Sequence, residues 1–169
     1  MFHINYKIFN HIVNEVNELR GADGYFQIQV GDSKYGLMLT EDLDAFSVSV
    51  YWWFIYFLEA LYLIQREDQV YISDIETPQV WIELKRINND KLLISEAHAT
   101  KPEGSHAVVC TISNKVTYPA WSGKPVLFTE FRDELLTSSI SYLNDLYKIN
   151  AKSHPNLIKL KTLIDKVKK

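Results

Sequence analysis

Polar and apolar positions alternate or recur in register along most of the chain, and one stretch breaks the rule by having almost no polar positions. Val50 to Ile64 is apolar or aromatic at every position except Glu59. A helix that is apolar all round belongs in an interior, a membrane or an interface. The run is shorter than the ~20 residues a membrane span needs, and it is bracketed by Asp42 and Asp44 on one side and Arg66, Glu67 and Asp68 on the other. It is therefore expected to be a strongly apolar central helix of a water-soluble body.

Upstream, Ile8, Phe9, Ile12, Val13, Val16 and Leu19 recur at spacings of three and four, which predicts an amphipathic helix from Tyr6 to Arg20 ended by Gly21. The alternation of Phe2, Ile4 and Tyr6 also permits a strand at the start. Tyr25–Val30 and Tyr35–Leu39 flank Gly31-Asp32-Ser33-Lys34 and predict an antiparallel hairpin. Phe46, Val48 and Val50 alternate with small residues, so a third strand should feed straight into the apolar helix.

Downstream, the alternating runs Val70–Ile75, Val80–Ile87, Leu92–His98 and Ala107–Ser113 predict a meander, with turn signals at Thr77-Pro78, Asn88-Asn89-Asp90 and Lys101-Pro102-Glu103-Gly104. Residues 114–125 look like an irregular connection. Phe128, Phe131, Leu135, Leu143, Leu146 and Tyr147 mark a second long helix with Thr129 as its N-cap, and Ser153-His154-Pro155 opens a third, Ser153 capping it. The expected fold is α+β: one antiparallel sheet, hairpin plus meander, with helices packed on one face.

At 169 residues the chain fits one domain that can bury a core without disulfides or metal. Residues 153–169 form a basic helix that could be appended to it. The single cysteine, Cys110, and a start lacking the layout of a secretory signal give a cytoplasmic location as the expectation. The net charge is −3, and residues 152–169 contribute +5, which leaves −8 for the rest. An acidic body disfavours nucleic-acid binding and suits a basic protein partner.

No catalytic motif stands out. His98, His106 and Cys110 would approach one another if their strands paired as a hairpin, but no tight ligand pair and no fourth ligand accompany them. No metal or other cofactor is expected, and no Gly-rich phosphate loop or Gly-x-Ser-x-Gly turn is present. Acidic residues gather at Glu41, Asp42 and Asp44, at Glu67 and Asp68, and at Asp74 and Glu76. If the sheet order is as read, they share one edge and steer a basic partner to it. Trp121, in a loop rich in proline and glycine, would be the aromatic contact residue.

The order of elements between residues 24 and 149 resembles small bacterial immunity proteins of polymorphic or contact-dependent toxin systems. The likeness lies in an early hairpin, a Trp-bearing helix, a central meander and a helix following Val-Leu-Phe-Thr-Glu-Phe. The resemblance implies a non-enzymatic cytoplasmic protein that binds and blocks one cognate toxin domain. The alternative is a small enzyme or ligand-binding domain with a pocket beneath the 101–125 loop, lined by Glu96, His98 or His106. Self-association through surplus aromatic surface, giving a homodimer, is the third option.

Overall fold

The computed structural model describes residues 1–9 and 17–169. The helix expected at Tyr6–Arg20 is corrected at its start: Phe2–Ile8 is strand β1, and residues 10–16 lie outside the described residues. The β1 pairing explains the difference, because Phe2, Ile4 and Tyr6 face Val30, Ile28 and Phe26 across an antiparallel ladder with β2 (Asp23–Val30). Cross-strand apolar pairing outweighs the local helical spacing.

β2 turns back through Gly31 and Asp32 into β3 (Ser33–Gly36). β3 ends earlier than Leu39 because Gly36 has φ +94° and its missing Cβ would stand 2.1 Å from the Phe26 carbonyl oxygen. Only glycine fits there, and the chain leaves the sheet. A short 3-10 turn at Asp44–Phe46 and the two-residue β4 (Val48–Ser49), paired with β2, replace the longer strand expected at this point.

Helix α1 runs from Val50 to Ile64 as the sequence predicts, with the Ser49 hydroxyl accepting the Trp52 N–H at its start (3.3 Å). Next come β5 (Gln69–Ser73), β6 (Val80–Arg86), β7 (Lys91–His98), β8 (Val108–Val109) and β9 (Lys124–Leu127). The hairpin and the meander are separate sheets rather than one: β1-β2-β3 with β4 beside β2, and a second sheet in the order β8-β5-β6-β7-β9. Both are antiparallel, and each turns one face to the helices, so the α+β class stands while the single sheet does not.

α1 fills the space between the two sheets. Phe54 stacks on Tyr142 (4.8 Å) and meets Phe26 and Tyr6 edge to face, and Trp53 stacks on Phe26 at 5.5 Å. The second sheet contributes Val70, Ile72, Ile82, Leu84, Leu92 and Ile94 to the same core. The two adjacent tryptophans part company as their helical positions require: Trp53 is buried and Trp52 lies half-exposed.

α2 (Phe128–Ile149) starts directly after β9, so Leu127 rather than Thr129 holds the N-cap position, without a side-chain cap. The pairing of β9 with β7 up to Leu127 and the Phe128 N–H donating to the Asp90 carbonyl (2.7 Å) fix that start. In α3 (Pro155–Lys168) the cap is His154, not Ser153. Its Nδ1 accepts the Asn156 N–H at 3.2 Å while Nε2 reaches the Asn17 carbonyl at 3.0 Å, two bonds a serine hydroxyl could not span. Leu157, Leu160, Ile164 and Val167 bury the helix in the common core. Two of its lysines lie on α1: Lys159 over the Trp52 ring and Lys166 over Tyr62. Burial pushes the Glu59 carboxyl up, and these two lysines oppose the shift.

The other face of the second sheet is covered by its own loop. Tyr71, Trp81, Ala97 and Ala99 form a small cluster there, with Val109, Ile112 and Val116 packed on it. Buried Glu83 accepts the Tyr118 hydroxyl at 2.5 Å and ties the loop down. Residues 114–125 are less irregular than expected, since Thr117 bridges to His98 and β9 begins at Lys124.

Burial pushes the phenols of Tyr51 and Tyr71 up to about 12, Glu83 adding to the effect on Tyr71. The unfolded chain would lose these protons near pH 10, where the folded chain keeps them. Stability is therefore expected to hold below about pH 10 and to fall as pH rises toward about 12. Thermal melts followed by circular dichroism across that window check this; a melting temperature unchanged through it would contradict the burial of these hydroxyls.

Candidate functional site

Two connected segments carry the most chemistry on the surface: the loop from Leu37 to Ser47, and the turn after β5. Buried Tyr25 holds the loop, its hydroxyl donating to the Glu41 carbonyl (2.6 Å) and accepting the Leu43 N–H (2.9 Å). Lys7 donates to the Thr40 carbonyl (3.0 Å) and pairs with Asp42 (2.5 Å). The Ser47 hydroxyl donates to the Asp44 carbonyl and closes the 3-10 turn.

The turn is organised by Asp74, only 7% exposed. One carboxylate oxygen accepts the N–H groups of Glu76 (3.0 Å) and Thr77 (3.2 Å), the other accepts the Tyr35 hydroxyl from β3. An aspartate that accepts from the backbone two and three residues on builds a turn of this kind. The Ser49 N–H donates to Glu76 Oε1 at 3.2 Å and joins the turn to the end of the loop. Burial pushes the Glu76 carboxyl up, Asp74 and Asp23 reinforce the shift, and the Ser49 N–H opposes it.

The result is an acid-rimmed apolar platform. Phe46 is 54% exposed and Ile75 51%, with Leu37 and Leu43 also exposed. Glu41, Asp42 and Asp44 are exposed in the same loop as Leu37, Leu43 and Phe46, and Glu76 is exposed next to Ile75 in the turn. Between Tyr35 and Gln65 the sequence contains no lysine or arginine. Exposed apolar side chains with a polar rim are a feature that contact surfaces share.

The structure does not gather all the expected acids. Glu67 and Asp68 follow the C-terminal end of α1, while Ser49 and Glu76 lie at its N-terminal end; fifteen helical residues span about 22 Å. There Asp68 serves through its backbone, accepting the Arg86 N–H at 2.7 Å. Asp74 is a buried turn-former and not a surface charge. Trp121 is partly buried and packed on the core, with its indole N–H buried and without a hydrogen-bond partner; it is not a protruding contact residue. Phe46 and Ile75, read from the sequence as strand residues, stand exposed, as does Leu43. The available signal for Phe46 and Leu43 is their position amid acids in a segment with no basic residue.

The histidines do not converge. β8 pairs with β5 and not with β7, which separates His106 and Cys110 from His98. His98 Nε2 instead meets Glu96 Oε1 at 3.0 Å. Burial, with Glu67 adding, pushes the Cys110 thiol up, away from the reactive thiolate. No group of three metal-ligating side chains occurs among the described residues. Nor is any helix among them long and apolar enough to cross a membrane.

Beside the platform, and sharing Ile75 and Glu76 with it, is an open cleft of about 560 Å³. Tyr56 forms one wall, Asp74 to Pro78 another, and Lys101 and Ser105 to Ala107 the third. The Lys101 ammonium donates to the carbonyls of Asp74 and Thr77 (2.9 Å to the latter) and lies 5.4 Å over the Trp81 ring. Burial lowers its affinity for the proton, and Asp74 opposes that. Platform and cleft together offer carboxylates, carbonyls and aromatic faces, all of which suit a cationic partner. No protein-family model, curated protein or solved structure matches the chain.

Proposed function

We propose that the chain is a non-enzymatic protein-binding module, an immunity-type inhibitor that neutralises a cognate bacterial toxin by covering a basic surface of it. The observation that carries this reading is Phe46, an aromatic ring 54% exposed within a rim of carboxylates. An aromatic that becomes buried on contact supplies affinity, and the surrounding acids speed encounter with a basic partner. The link to toxins rests on the layout resemblance.

Co-expression tests it. A secreted toxin domain encoded beside this chain should arrest growth alone and be silenced by the wild-type protein. Phe46→Asp, combined with Asp44→Asn, should fail to rescue growth while remaining folded. Full rescue by that variant would remove the platform from the account.

A further inference from the structure

We infer that the cleft beside Tyr56 seats an arginine side chain of the protein partner, its guanidinium lying on the ring face turned away from Trp52 and facing Glu76. The inference rests on the reading of the chain as a protein-binding module and names one contact within it. Helix α1 turns a half-exposed stripe outward: Trp52, Tyr56, Glu59 and Tyr62. The spacings of four, three and three keep these residues on one side of the helix.

The rings at the two ends of the stripe already carry cations from the chain itself. Lys159 Nζ lies 4.8 Å over Trp52, and Lys166 Nζ and Arg66 Cζ lie 3.8 and 4.2 Å from the centre of Tyr62. Among the described residues no lysine or arginine lies over Tyr56. Trp52 stacks on it at 5.4 Å, and Tyr56 forms a wall of the 560 Å³ cleft.

The groups facing Tyr56 across that cleft also select a cation. Glu76 is held in place by the Ser49 N–H, and the carbonyls of Asp74 and Thr77 already bind the Lys101 ammonium. Lys101 is itself engaged by those carbonyls and the Trp81 ring. His106 completes the far side. A planar guanidinium can stack on a phenol and bond a carboxylate in two places at once, which a lysine ammonium cannot. The cleft is continuous with the platform through Ile75 and Glu76, so one basic segment of the partner can cover both.

The test is a nuclear magnetic resonance titration of the full chain with N-acetyl-arginine amide, N-acetyl-lysine amide and N-acetyl-leucine amide. Arginine amide should give saturable shifts at Tyr56, Glu76, Thr77 and His106, with lysine amide weaker and leucine amide without effect. Tyr56→Leu should weaken arginine amide about tenfold, Glu76→Gln similarly, and Tyr56→Phe, which keeps the ring, should bind as wild type. Shifts spread evenly over all surface acids, or unchanged in a folded Tyr56→Leu variant, would overturn the arginine seat. The platform reading would then still stand or fall on growth rescue by the variant that combines Phe46→Asp with Asp44→Asn.

Discussion

Phe54→Ala should cost about 3–5 kcal/mol of folding stability, a large share of the ~5–15 kcal/mol typical of a domain. Phe54 is fully buried, and its ring meets Tyr6 of β1, Phe26 of β2 and Tyr142 of α2. Its removal leaves a cavity where three elements converge, and neighbouring rings held by their own contacts collapse into it only in part. Trp52→Ala, on the same helix but half-exposed, should cost less, since the lost ring contacts are those with Tyr51 and Tyr56 and the Lys159 cation, at a site only partly buried. Urea unfolding of both variants checks the contrast. Equal losses would contradict α1 as a pillar buried on its inner face and open on its outer one.

Neutralising the platform should do the reverse, sparing the fold and weakening the interaction. Glu41→Gln, Asp42→Asn, Asp44→Asn and Glu76→Gln together should slow association with a basic partner by about 10- to 1,000-fold at low salt. The dissociation rate should change less. The amide replacements keep an acceptor oxygen for the Ser49 N–H and for Lys7, so the melting temperature should move little. Surface plasmon resonance against the proposed toxin partner measures both rates. Trp121→Ala is the informative control: packed on the core, it should lower stability and leave the association rate alone.

The apolar helix was legible to its terminal residues, because no other element explains fourteen apolar positions in fifteen. The strands were legible too, from alternation. Their partners were not: alternation says which residues share a face and nothing about which strand lies alongside. Hence two sheets emerged where one was expected, and β8 went to β5, parting His106 from His98. The first strand was obscured because Ile8 and Phe9 fit both a ladder and a helix face, and pairing with β2 decided between them.

The acids show the same limit at the level of the site. Tyr25 holds Glu41 and its neighbours against β2, Tyr35 holds the Asp74 turn against β3, and the Ser49 N–H joins the end of the loop to Glu76. Asp68 and Asp74 sit at opposite ends of β5, about 20 Å apart for six extended residues. Phe46 read as the inward member of an alternating strand. The 3-10 turn at Asp44–Phe46 replaced that strand and left the ring in solvent.

The central claim is that the platform is the working surface, and hydrogen–deuterium exchange of the chain with and without the proposed toxin partner tests it most directly. The account predicts slowed exchange in residues 37–49 and 74–78 on binding, with the already buried amides of α1 unchanged. Protection confined to α3 or to the 110–123 segment, with residues 37–49 exchanging as in the free protein, would contradict it.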